Sequence, residues 1–150
     1  MDALHPTAPT PAPGPRPGPL HRRLAAPVVT AAGVVAAFAY VGAVDPNEPG
    51  HYPVCPLFRL TGILCPGCGG LRSAHAFAHA DLITATSANA LAVAGYLVFA
   101  AYMAVWLKRA VQGAPTPRIA LKSQAWWAIG ILALAFAVVR NLPIGTWFAP

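Results

Sequence analysis

The feature that most constrains the fold is an uninterrupted apolar run, from Leu24 to Val44, that contains no charged side chain. As an α-helix this run would be roughly 30 Å long, which is the thickness of the hydrocarbon core of a bilayer. A cleaved signal peptide is the competing interpretation, but the apolar region of a signal peptide is usually only about 7–15 residues long. The run therefore predicts a transmembrane helix over residues 24–44.

The composition supports this interpretation. Only 9% of the residues are charged and 57% are hydrophobic, whereas soluble domains have roughly 25% and 45–50%. The net charge of +6 does not indicate nucleic-acid binding, because the basic residues lie mainly in two groups beside apolar runs, as is typical of membrane orientation. We therefore expect the lipid bilayer, and no nucleic acid, as a partner.

Two further apolar runs predict transmembrane helices over residues 88–107, with Asn89 near its start as a candidate N-cap, and over residues 125–142. The second of these runs is short, and it reaches the length of a span only if Arg140 and Asn141 extend towards the lipid headgroups. The sequence thus predicts an all-α membrane protein with three transmembrane helices. Packing against other membrane proteins or a second copy is compatible with this prediction.

The distribution of positive charge predicts the orientation. Most of the ten Lys and Arg residues lie in the proline-rich tail, residues 1–23, which is predicted to be disordered, or in the loop 108–124. By the positive-inside rule, both are cytoplasmic. The segment 45–87 and the C-terminal tail 143–150 then face the extracytoplasmic side of a multi-pass protein of the cell membrane.

The segment 45–87 contains all three cysteines of the chain. Its Cys-Pro-Gly-Cys-Gly turn precedes residues of helical composition, which predict a short interfacial helix over about residues 70–80. Arg72, His75 and His79 fall three and four residues apart, and hence on one face of that helix. A cysteine before a helix N-terminus is favoured as the thiolate.

A metal site is the first interpretation of this segment. Zinc binds about four thiolate or imidazole ligands, and a CxxC turn directs both sulfurs at one ion. Cys65 and Cys68 would supply two ligands and Cys55 a third. His51 is the fourth candidate, with one of the helical histidines, His75 or His79, as the alternative.

Two other interpretations stay open. A CxxC turn before a helix is also the arrangement of thiol–disulfide redox proteins, and the extracytoplasmic side is where disulfides persist. Alternatively, the cysteines only pack, as small apolar residues, in an accessory subunit of a membrane complex. Catalysis other than redox chemistry is not expected, because the segment has few candidates for a general acid or base.

The chain also resembles a family of small bacterial membrane proteins of unknown function. Their signature is Cys-Pro, Thr-Gly, Cys-Pro-x-Cys-Gly-x-Thr-Arg, Gly-Asp and Asn-Pro. This chain differs at Leu71, Ala80 and Ala90, which replace Thr, Gly and Pro. The resemblance covers roughly residues 52–105 and implies a compact cysteine turn and helix joined to a membrane helix. The positions that carry it, besides the cysteines, are Pro56, Thr61, Gly62, Pro66, Gly67, Gly69, Arg72, Asp81 and Asn89.

Overall fold

A computed structural model describes residues 18–148, and within that range every regular element is helical. The predicted all-α class is therefore confirmed. Residues 1–17 of the predicted disordered tail, and the last two residues of the C-terminal tail, lie outside the described residues. The elements in chain order are α1 (Leu20–Ala43), α2 (Pro56–Thr61), α3 (Gly70–Ala78), α4 (Leu82–Gln112), α5 (Ser123–Arg140) and a 3₁₀ helix, η1 (Pro143–Phe148).

Three of these helices, α1, α4 and α5, are long and apolar enough to cross a membrane. In each of them only 6% of the most apolar 18-residue window is buried inside the protein. The outward-facing surface of these helices is therefore apolar, and lipid is the environment that such a surface requires. The protein is a multi-pass membrane protein.

The helix α4 consists of two helices that meet at Asn89. The backbone of Asn89 is extended, with φ −163° and ψ 92°, and its side-chain oxygen accepts a hydrogen bond from the N–H of Ala92 at 2.9 Å. This is the geometry of an N-cap, so a new helix begins after Asn89. The preceding helix begins after Asp81, whose carboxylate accepts a hydrogen bond from the N–H of Thr84 at 3.0 Å.

The short helix α3 packs against both α1 and α4. Rings from the three helices contact one another: Phe38 of α1 lies 5.1 Å from Tyr96 of α4, and Phe77 of α3 lies 5.4 Å from the same tyrosine, measured between ring centroids. Gly42 allows the close approach, because a Cβ at that position would lie only 3.3 Å from the Cβ of Ala78. These contacts hold the C-terminal end of α3 against the spans, and the hydroxyl of Tyr96, which donates to the carbonyl of Gly70 at 3.1 Å, holds its N-terminus next to the cysteine turn.

Hydrogen bonds also join separate segments at each of the two ends of the helix assembly. At one end, Arg23 near the start of α1 donates to the carbonyl of Val111 near the end of α4, at 3.5 Å. At the other end, Asn141 after α5 exchanges two hydrogen bonds, each of 2.9 Å, with the backbone of Leu64. The cysteine segment and the C-terminal end of α5 therefore lie at the same end of the molecule.

Candidate metal centre

Cys55 lies at the N-terminus of α2, directly before Pro56. Proline suits the first position of a helix because it has no N–H to leave unpaired there. The thiol of Cys55 lies against the free N–H groups of this first turn. A hydrogen bond from the backbone of Phe58, and secondarily those from the Cys68 thiol and the backbone of Leu57, lower the pKa of the Cys55 thiol. The local structure thus favours a thiolate at Cys55.

Cys65 and Cys68 lie at the two ends of a tight turn. The N–H of Cys68 donates to the carbonyl of Cys65 at 3.1 Å, and the N–H of Cys65 approaches the sulfur of Cys68 at 3.3 Å. Gly69 then adopts a left-handed conformation with φ +76°, which costs a glycine little. This residue redirects the chain into α3, so the sulfurs stay beside the turn while the helix leads away from them.

The structure brings the three sulfurs together. The sulfur of Cys65 lies 3.1 Å from that of Cys68 and 3.9 Å from that of Cys55, and all three sulfurs lie within 4.8 Å of one another. A tetrahedral zinc ion with bonds of about 2.3 Å to sulfur holds its ligands about 3.8 Å apart. The cluster therefore has the dimensions of a three-thiolate site. The cysteines are free rather than paired in a disulfide.

The environments of the three thiols differ. Cys68 is buried, with 8% of its surface exposed, whereas Cys55 and Cys65 are half-buried. Burial raises the pKa of the Cys68 thiol to about 11, because a thiolate loses its hydration there. In the absence of a metal ion, Cys55 is thus the more readily ionised of these two cysteines. A bound metal ion would reverse the penalty at Cys68, since it stabilises thiolates directly.

The histidines predicted as a fourth ligand lie outside this cluster. Nδ1 of His51 is 2.9 Å from the backbone oxygen of Asp45. Nδ1 of His75 is 2.8 Å from the backbone oxygen of Val41, and Nδ1 of His79 is 2.9 Å from that of His75. Among residues 18–148, the group of ligand atoms close enough to share one ion consists of the three cysteine sulfurs.

Arg140 is the residue of this site that the sequence did not reveal. The expectation that it extends to the headgroups is wrong: only 3% of Arg140 is exposed. Its Nη1 donates to the carbonyls of Cys65 at 3.2 Å and Cys68 at 2.8 Å, and its Nη2 donates to that of Ala88 at 3.0 Å. The guanidinium also lies over the ring of Phe136, 5.1 Å from its centroid. It thereby ties α5 to the cysteine turn.

Asn89, at the break in α4, also forms hydrogen bonds with the cysteine turn. Its side-chain amide donates to the carbonyls of Pro66 at 2.8 Å and Cys68 at 3.0 Å, and only 1% of the residue is exposed. Its own carbonyl accepts a hydrogen bond from the hydroxyl of Ser73 at 3.4 Å. The break in α4 thus brings a buried amide to the turn. The sequence predicted the capping role of Asn89 but not these contacts.

Other predicted motif residues have local roles around the cluster. Gly62 ends α2 in a left-handed conformation with φ +71°. Gly67 lies within the turn, where a Cβ would meet the sulfur of Cys65 at an ordinary 3.9 Å. Arg72 lies exposed on α3. Asp81 accepts hydrogen bonds from Thr84, which lower the pKa of its carboxyl group. The roles of these glycines and of the capping carboxylate can be recognised from the local sequence.

The fold and this site define a class: multi-pass helical membrane proteins with a thiol cluster at one end of the spans. Within the chain, residues 55–103 match the family described as "Protein of unknown function (DUF2752)". The matched segment begins at Cys55 and includes the turn, α3 and most of α4, so the resemblance drawn from the sequence is confirmed. No curated protein and no solved structure matches the chain.

Proposed function

We propose that Cys55, Cys65 and Cys68 hold a zinc-type metal ion, and that the site organises the extracytoplasmic part of a non-enzymatic membrane protein. The observation that carries the proposal is the mutual distance of the sulfurs, all within 4.8 Å. Two ligands come from one turn and the third from the start of another helix. An ion bound there would cross-link two segments that otherwise share few contacts.

The charge around the cluster supports a metal ion. Three thiolates and one divalent ion carry a single net negative charge. The buried guanidinium of Arg140, which donates to the carbonyls of Cys65 and Cys68, supplies the compensating positive charge. Buried charges are costly unless they are compensated in this way. The site as a whole would be neutral with the ion in place.

The role we propose is structural. Through Arg140 and Asn89 the cysteine turn is bonded to α5 and to the break in α4. A metal ion would extend the same network to α2 through Cys55. Structural zinc sites contribute directly to the free energy of folding. The ion would therefore keep the extracytoplasmic segment in one arrangement on the spans.

The test is to measure metal content and free thiols on protein purified in mild detergent. We expect about one zinc per chain, with the thiols protected from alkylation until a chelator removes the metal. Cys55→Ser, Cys65→Ser and Cys68→Ser should each lose most of the metal. Thr61→Ser, a conservative change outside the cluster, is the control. Metal retained by all three serine variants contradicts the proposal.

A thiol–disulfide function is the second candidate, because the sulfurs of Cys65 and Cys68 are only 3.1 Å apart and that of Cys55 is within reach of Cys65. The same preparation decides between the two. If the redox function is correct, intact mass is about two units low, a reductant restores it, and metal is absent. If the protein has its full mass, three reactive thiols and no metal, the cysteines serve only for packing.

The orientation we propose, with the cysteine segment outside, has its own test. Asn47→Cys and Gln112→Cys place one additional thiol at an exposed position near each end of the spans. In intact cells, a membrane-impermeant maleimide should label Asn47→Cys above the wild-type background, and Gln112→Cys only after permeabilisation. The reverse pattern contradicts the orientation.

A further inference from the structure

A cavity of about 370 Å³ adjoins the three-cysteine cluster. Cys55 and Cys68 contribute to its wall, together with Tyr52, Phe58 and Arg72. Most of the remaining lining is aliphatic or glycine backbone. A volume of this size is enough for a small molecule, and lining that is mainly apolar with a few polar groups is typical of ligand sites.

The cluster provides three protein ligands where zinc takes four. Within residues 18–148, the histidine and carboxylate ligand atoms are too far from the sulfurs to join them. Zinc sites with three protein ligands keep the fourth position for water or an exogenous ligand. Because Cys55 and Cys68 line the cavity, the cavity is the space beside the cluster that such a ligand could occupy.

Arg72 determines which charge is favoured in a ligand that enters the cavity. It lies on the cavity wall and is exposed, and it forms no hydrogen bond or ion pair with any residue of the described range. Arg140 already compensates the single negative charge of a metal–trithiolate group. None of the described residues that line this cavity is acidic, so this second cation favours an anion as the entering ligand.

We infer that the metal held by the three cysteines has an open fourth position, and that this position binds a small anion with a soft donor atom, such as an organic thiolate, beside Arg72. This inference rests on the proposed metal site. It adds to the structural role of that site a position that exchanges a ligand with the extracytoplasmic medium. Binding requires no covalent or redox step: the anion displaces water from the ion.

The experiment uses the full chain in detergent, with Co²⁺ in place of the native ion and thiocyanate as the probe. Co²⁺ bound by thiolates has a charge-transfer band that reports binding, and visible bands that report the coordination shell. We expect thiocyanate to shift the visible bands in a saturable manner. Arg72→Ala should raise the half-saturating concentration roughly 2- to 10-fold. Arg59→Ala, which removes a charge from exposed α2 away from the cavity, should leave it unchanged.

The outcomes separate the two proposals. Absence of the charge-transfer band overturns the metal site, and this inference with it. If cobalt is bound by thiolates but its visible bands do not change with thiocyanate, only the open fourth position is overturned. A change of those bands in His51→Ala, His75→Ala or His79→Ala overturns the same position, because it identifies a protein fourth ligand. An equal response of Arg72→Ala and Arg59→Ala overturns the role of Arg72.

Discussion

Replacing Arg140 with methionine should lower the free energy of unfolding by about 3–5 kcal/mol and weaken metal binding roughly 10- to 100-fold. The guanidinium donates to three backbone carbonyls, those of Cys65, Cys68 and Ala88. Methionine fills a similar volume but removes the charged donor from all three carbonyls, and a hydrogen bond to a charged group contributes about 1.5–3 kcal/mol. The carbonyls of Cys65 and Cys68 each keep one other donor, the N–H of Cys68 and the amide of Asn89. The substitution also removes the positive charge that compensates the thiolates.

The variant Arg140→Lys separates the effect of the charge from that of the hydrogen bonds. Lysine retains the charge but presents a single ammonium, whereas the planar guanidinium reaches carbonyls of two different segments at once. We therefore expect Arg140→Lys to recover part of the metal affinity and less of the stability. Arg118→Met, in the exposed loop after α4, is the matched control. Chemical unfolding in mixed micelles and a competitive metal titration measure the two effects. Equal stability of Arg140→Met and Arg118→Met would contradict the prediction.

Replacing Asn89 with aspartate should destabilise the protein by about 2–4 kcal/mol, at least as much as replacing it with alanine. Aspartate is as good an N-cap as asparagine, so it would preserve the hydrogen bond from Ala92. It would, however, direct a carboxylate oxygen at the carbonyls of Pro66 and Cys68, where the amide now donates. The comparison thus separates the capping role of Asn89 from its support of the cysteine turn.

The control for Asn89→Asp is Gln112→Glu, the same change from an amide to a carboxylate at an exposed position. Unfolding in mixed micelles and metal content are measured on both variants and on Asn89→Ala. We expect Gln112→Glu to behave as wild type. If Asn89→Asp is as stable as wild type and Asn89→Ala is not, capping is the main role of Asn89, and the hydrogen bonds to the turn contribute little.

The parts of the fold that could be predicted from the sequence are those with a local signal. An apolar run without charges has few structural alternatives to a membrane span, and Cys-Pro-Gly-Cys-Gly-Gly before an alanine-rich stretch predicts a turn followed by a helix. The short helix α2 was missed although it had such a signal: Pro56 at its first position and Gly62 just after its end. Its six residues carry too little periodicity to be detected.

The role of Arg140 had no local signal. An arginine at the end of an apolar run normally extends to the membrane surface, and nothing near it in the sequence indicates otherwise. Its hydrogen bonds join residues 72 and 75 positions apart, to the carbonyls of Cys68 and Cys65. Such a contact depends on how the helices pack, which periodicity does not encode. The same reason explains why the contacts of Asn89 with the turn, unlike its capping role, were not predicted.

The position of Arg140 at the very end of α5 has a consequence for biogenesis. Chains are synthesised from the N-terminus, and the earlier helices enter the membrane first. The carbonyls of the Cys65–Cys68 turn therefore lack their guanidinium donor until α5 has been inserted. If the thiols bind an ion as proposed, stable loading would follow the insertion of α5, and a nascent chain that stalls before α5 would expose an incomplete turn to quality control.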